Sequence, residues 1–172
     1  ADIEVEDAWL ATGAIVADFC NKRAKRGDIV VRMGNSTVAG APACFVPKTA
    51  ELEVDVTTCF DPGLKPEQVG DLNDRLVRLD HPVATGVILH EASHARWTTW
   101  SLEAAAEIGK DDKKYGRVLT EAMHWLEEGR IEALAVKTWP HDREMLRSSA
   151  LQLALEDMDE DESGEDPLAL AK

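Results

Sequence analysis

His90 and His94 stand four residues apart, with Glu91 directly after the first, in the stretch Val83-Ala84-Thr85-Gly86-Val87-Ile88-Leu89-His90-Glu91-Ala92-Ser93-His94-Ala95. Residues four apart on a helix share one face, so the two imidazoles can converge on one tetrahedral zinc ion. Glu91 projects to one side, where a carboxylate can take a proton from a metal-bound water. It is the only formally charged residue of this stretch. A helix apolar on all sides is buried, and a buried carboxylate beside two imidazoles is costly unless something partners it. A metal with its water supplies that partner. The alternative is a chance match on a surface helix, which would normally carry a charged, exposed face.

A catalytic zinc takes three protein ligands and keeps one position open. The residues after Ala95 are Arg96-Trp97-Thr98-Thr99-Trp100, which excludes the nearby glycine and third histidine of metzincins. The third ligand is therefore expected on a later helix, over residues 117–138. With Leu119, Met123, Leu126, Ala133 and Leu134 as its core stripe, at about 100° per residue, Glu127 lies at the stripe's edge and Glu128 roughly opposite. An inward glutamate on an apolar face needs a reason, which makes Glu127 the expected third ligand. An ion pair with Arg130 is the other account of it. Glu128 is the second candidate, because Glu128 and Glu132 repeat a spacing in which the first acid binds zinc and the second orients a histidine. His124 is a further candidate, as a ligand, as a hydrogen-bond donor to a transition state, or as a packed histidine; Arg130 and Tyr115 are other donors of the right type. Gly129 costs the helix roughly 1 kcal/mol relative to alanine, and close approach of the metal helix would account for it.

These residues resemble the gluzincin type of zinc peptidase, with HExxH on one helix and a glutamate from a later one. Arg96 departs from the hydrophobic residue often found two places after the second histidine. More narrowly, His90-Glu91-Ala92-Ser93-His94-Ala95-Arg96 followed by Leu126-Glu127-Glu128-Gly129-Arg130-Ile131-Glu132 resembles a bacterial and phage group. In that group a metallopeptidase-like domain with an LEDxRIE-like segment precedes an acidic linker and a von Willebrand A domain, and relatives include the cobaltochelatase large accessory subunit. The resemblance covers roughly residues 45–166, and only the two motifs are specific. It implies a zincin-like metallopeptidase domain over 1–155 and an acidic disordered tail or linker over 156–172. The implied partners are a peptide or protein substrate, a C-terminal von Willebrand A domain and a MoxR-type AAA ATPase. It also implies a sheet edge that pairs with extended substrate; residues 52–57 are the expected strand, with a plain core strand as the other account.

These groups need elements to hold them. Residues 4–25 read as a helix with Trp9, Ile15, Val16 and Phe19 on its apolar face and Gly27 as its stop. Strand signals follow over 28–33, 43–46 and the alternating 52–57, closed by Asp61-Pro62-Gly63. Lys65-Pro66 then opens a helix carrying Val69, Leu72, Leu76 and Leu79, and Pro82 sits in the first turn of the next. A polar loop over 109–116 leads to the long helix, Pro140 stops it, and Asp142 is a good N-cap for a last helix. The order predicts an α+β domain: a small N-terminal β-sheet with a mainly helical core.

With 172 residues, 44% of them hydrophobic, the chain suits one compact domain plus a tail. Its net charge of −14 argues against nucleic acid as a partner. Eight of its 33 acids lie between Glu156 and Asp166 with no base among them, a composition that reads as self-repelling tail or linker. Three cysteines without a CxxC pair favour a reducing compartment. With no signal-like N-terminus and no apolar run of about 20 residues, the expectation is a cytoplasmic protein that does not enter a membrane. The functional expectation is a zinc metalloendopeptidase hydrolysing peptide bonds with Glu91 as base. The alternative is a non-proteolytic zinc-containing adaptor module of a von Willebrand A and AAA ATPase assembly.

Overall fold

Val16, Phe19 and Cys20 recur at helical spacing and form the buried face of α1 (Leu10–Ala24). Ile15 was expected on that face but is turned to solvent; it lies about 100° around the helix from Val16, beyond the buried stripe. The computed structural model describes residues 7–99, 107, 110 and 115–163, with residues 156–163 described by backbone alone. The polar loop expected over 109–116 falls almost wholly outside the described residues.

All three expected strands form, as β1 (Val30–Gly34), β2 (Ala43–Val46) and β3 (Glu51–Asp55). Their order is β1-β3-β2, with β1 parallel and β2 antiparallel to β3. The strand expected to be a substrate-pairing edge is therefore the central one. β3 carries the fully buried Leu52 and Val54, and the edge strand nearest the histidines is β2. β3 also stops two residues early. The Asp55 carboxylate accepts the N–H of Thr57 and caps α2 (Val56–Cys59), so local capping wins over the alternating pattern.

The helix expected from Lys65 onward is a 3-10 turn, then loop, then α3 (Arg75–Asp80). Gly70 has φ of 74°, the Asp71 carboxylate accepts the Asn73 N–H, and Asp74 caps Leu76. These side-chain-to-backbone bonds offer the chain an alternative to helix. Val69 and Leu72 are buried as loop residues, whereas Leu76 is exposed. The buried Arg78 of α3 donates to Leu72 O and Asn73 O and to the Asp142 carboxylate, which Arg23 also pairs.

α4 (Pro82–Trp97) runs through the middle of this assembly, with Ala84–Leu89 and Ala92 buried. Ile88 and Leu89 are fully buried, each contributing about 1.5–3 kcal/mol of transfer free energy that anchors the turn before His90. α4 touches α1, β2, α5 (Gly116–Thr138) and α6 (Arg143–Ser163). Its crossing with α6 is close: a Cβ on Gly86 would lie 2.1 Å from the Met145 carbonyl oxygen.

The acidic run, expected to be disordered from residue 156, is helical as far as Ser163, and the expected boundary at 155/156 falls inside α6. Once the docked half of α6 supplies a nucleus, each further turn needs only one hydrogen bond per residue, and glutamate is a good helix former. Residues 164–172 lie outside the described residues. No helix among the described residues is long and apolar enough to cross a membrane. A small three-stranded sheet with segregated helices makes this an α+β fold.

Candidate metal centre

α4 sets the rings of His90 and His94 with centroids 4.9 Å apart. His90, Glu91 and His94 each offer a donor atom within 4.8 Å of the others. α5 packs across them and brings Glu128 to both rings. Its Oε2 lies 2.8 Å from His90 Nε2 and its Oε1 lies 3.3 Å from His94 Nε2. That Oε1 is buried, and its contacts with the imidazoles of α4 and α5 fall short of well-formed hydrogen bonds. The far nitrogens are held as well: His90 Nδ1 lies 3.3 Å from Glu132 Oε1, and His94 Nδ1 lies 2.9 Å from Thr98 Oγ1. Glu91 reaches the other way, and its Oε2 accepts the backbone N–H of Phe45 on β2 at 2.7 Å.

Charge follows this geometry. Burial works against a proton on His90, but the ring's hydrogen bonds to the Glu128 and Glu132 carboxylates, with Glu91 nearby, push it up to about 10. Glu128 is opposed by its own burial yet held well below the usual carboxylate range by His90 and His94. Burial raises Glu91, and the two histidines and the Phe45 N–H only partly offset it. Glu127 is lowered, first by its hydrogen bond from Arg130.

Of the two candidates for a third ligand, the structure brings the second to the histidines and not the first. Glu127 is buried, at 5% exposure, but it points away from the imidazole Nε2 atoms and accepts Arg130 Nε and Nη2, both at 2.7 Å. The second candidate, Glu128, is the one that meets both histidines. The expected stripe ran through Leu119 and Leu126, which are 42% and 74% exposed, whereas the buried line is Glu127, Ile131 and Ala135. Drawing the stripe through exposed leucines rotated the helix and sent Glu128 to the wrong side. His124 is not packed: it is half exposed, with Nδ1 3.4 Å from Glu128 Oε1. Arg130 is engaged by Glu127, and Tyr115 is half exposed at the start of α5.

Gly129 does not mark a close approach, since a Cβ there would meet nothing within 4 Å. Gly129→Ala is expected to stabilise the protein by about 1 kcal/mol, raising the melting temperature by about 2–4 °C. A scanning-calorimetry loss of stability would mean that this face of α5 is covered.

A cleft of about 390 Å³ opens beside these groups, walled by Ala43 at the start of β2, Val87 of α4, Glu132 of α5, and Ala150 and Leu153 of α6. Two groups in the centre escaped the sequence reading. Thr98 was legible in principle, because it lies four residues after His94. The Phe45 N–H was not, because a backbone donor has no residue signature.

No family model matches the chain, and neither does any curated protein or solved structure.

Proposed function

We propose that the chain binds one zinc ion through His90, His94 and Glu128 and hydrolyses peptide bonds with Glu91 as the general base. The observation that supports this is the convergence of the Glu128 carboxylate on two imidazole nitrogens of α4, His90 Nε2 at 2.8 Å and His94 Nε2 at 3.3 Å. Two histidines and one carboxylate are a donor set typical of catalytic zinc. A zinc ion there would polarise a peptide carbonyl and acidify the attacking water.

The chain's own residues do the rest. Glu132 and Thr98 fix the two rings from behind. Glu91, raised by burial and aimed by the Phe45 N–H, accepts the water's proton and returns it to the leaving amine. An extended substrate lies along β2, the edge strand beside Glu91. Three cysteines, none of them in a disulfide, suit a reducing, cytoplasmic setting.

Zinc titration of the purified protein against a competing chelator tests the reading. One zinc per chain is expected, lost in His94→Ala, and weakened far more by Glu128→Gln than by Glu127→Gln. Zinc must displace the proton that metal-free His90 keeps up to about pH 10, so affinity rises with pH through neutrality. Because that pKa lies above the ordinary 6.5, the ring's own contribution to metal-free stability is complete below 6.5 and fades toward 10. A protein whose melting temperature is identical in zinc and in chelator has only a His–Glu ion-pair cluster here.

A further inference from the structure

We propose that Thr98 and Glu127 are positioning residues that lock the His94 ring with its proton on Nδ1 and its lone pair on Nε2, facing Glu128. The inference deepens the zinc reading and rests on it for its consequence, though its geometry stands apart from any metal.

The argument is a count of donors and acceptors. Glu127 is buried and receives two N–H groups from one guanidinium, Arg130 Nε and Nη2. Such a bidentate pair is a carboxylate, which can only accept. Thr98 Oγ1 lies 2.7 Å from Glu127 Oε1 and donates to it. A hydroxyl has a single proton, so that bond consumes it. Toward His94 Nδ1, 2.9 Å away, Thr98 can then only accept, and Nδ1 must be the donor. In the neutral ring Nε2 is left with its lone pair, 3.3 Å from Glu128 Oε1, where the other two donor groups converge.

Arg130 makes this chain rigid. Its Nη2 also donates to Trp97 O at 2.8 Å, which ties α5 to the last turn of α4 just before Thr98. The relay thus explains why a glutamate is buried in α5 without being a ligand. His90 is held differently, by Glu132 acting directly on its Nδ1. Outer partners of ligating histidines typically change metal affinity by about 10–100-fold when removed.

The experiment uses the full chain and four forms: wild type, Thr98→Val, Thr98→Ser and Glu127→Gln. Zinc affinity is read by chelator competition, and the His94 tautomer by nitrogen-15 NMR of the neutral ring in metal-free protein. Wild type and Thr98→Ser are expected to hold the proton on Nδ1 and to bind zinc alike. Thr98→Val keeps the shape and loses the hydroxyl; it should give a mixed tautomer and about 10–100-fold weaker zinc binding. Glu127→Gln should do the same, because an amide can donate to Thr98 and so reverse the chain. A wild-type ring protonated on Nε2 overturns the proposal. So does a pair of variants that keep both tautomer and affinity within twofold. If wild type takes no zinc, the metal reading falls while the NMR spectra still decide the tautomer.

Discussion

Glu91→Gln is expected to retain zinc and lose peptide hydrolysis by about 10²–10⁴-fold, the usual worth of a positioned general base. The substitution keeps the shape of the side chain. It also keeps an oxygen that can accept the Phe45 N–H, so the link to β2 survives. What it removes is a group able to take and return a proton. Zinc content is expected to be unchanged, because Glu91 is not in the proposed ligand set of His90, His94 and Glu128. The assay is cleavage of unfolded protein or a peptide library by wild type and variant side by side, each with measured zinc. Zinc-loaded wild type that cleaves nothing, alone and with its partners, would favour the adaptor reading. A variant as active as wild type would move the base elsewhere.

Gly86→Ala is expected to be the most destabilising single-methyl change in the molecule, at about 3 kcal/mol or more. A Cβ there would lie 2.1 Å from the Met145 carbonyl oxygen and 2.5 Å from Ser149 Oγ. The serine hydroxyl can rotate away, but the carbonyl belongs to the backbone of α6 and cannot move without the helix. Alanine's helix propensity offsets only about 1 kcal/mol. α4 and α6 must separate, and the apolar contacts around the crossing loosen with them. Urea unfolding measures the loss; a variant as stable as wild type would mean that the two helices do not cross at Gly86. The same substitution at Gly129 is expected to have the opposite sign, because its surroundings are open.

The legible parts of the chain were those where one signal had no competitor. The α4 motif could be read because its run of buried residues leaves Glu91 as the lone charge, and Pro82 and Pro140 marked a helix start and a helix end by chemistry alone. The strands could be located from their β-branched content, but not ordered. That β3 is central depends on pairing with both neighbours, which no single strand encodes. α5 was the hard case. Its first half is exposed, so Leu119 and Leu126 imitate a core stripe without having a core to face, and one residue of phase error was enough to turn Glu128 away from the histidines. The helix expected through Val69 and Leu79 failed where Asp71 and Asp74 bond the backbone directly.

α6 gives the cleft a mechanical character. Ala150 and Leu153 wall the cleft, and the same unbroken helix carries on to Ser163. Its 21 residues make a rod about 30 Å long, pinned against α4 at Gly86. A rod pinned near one end is a lever. Leu153 lies on the arm between the Gly86 crossing and the acidic end, so a force applied to that end reaches the cleft wall through one continuous helix.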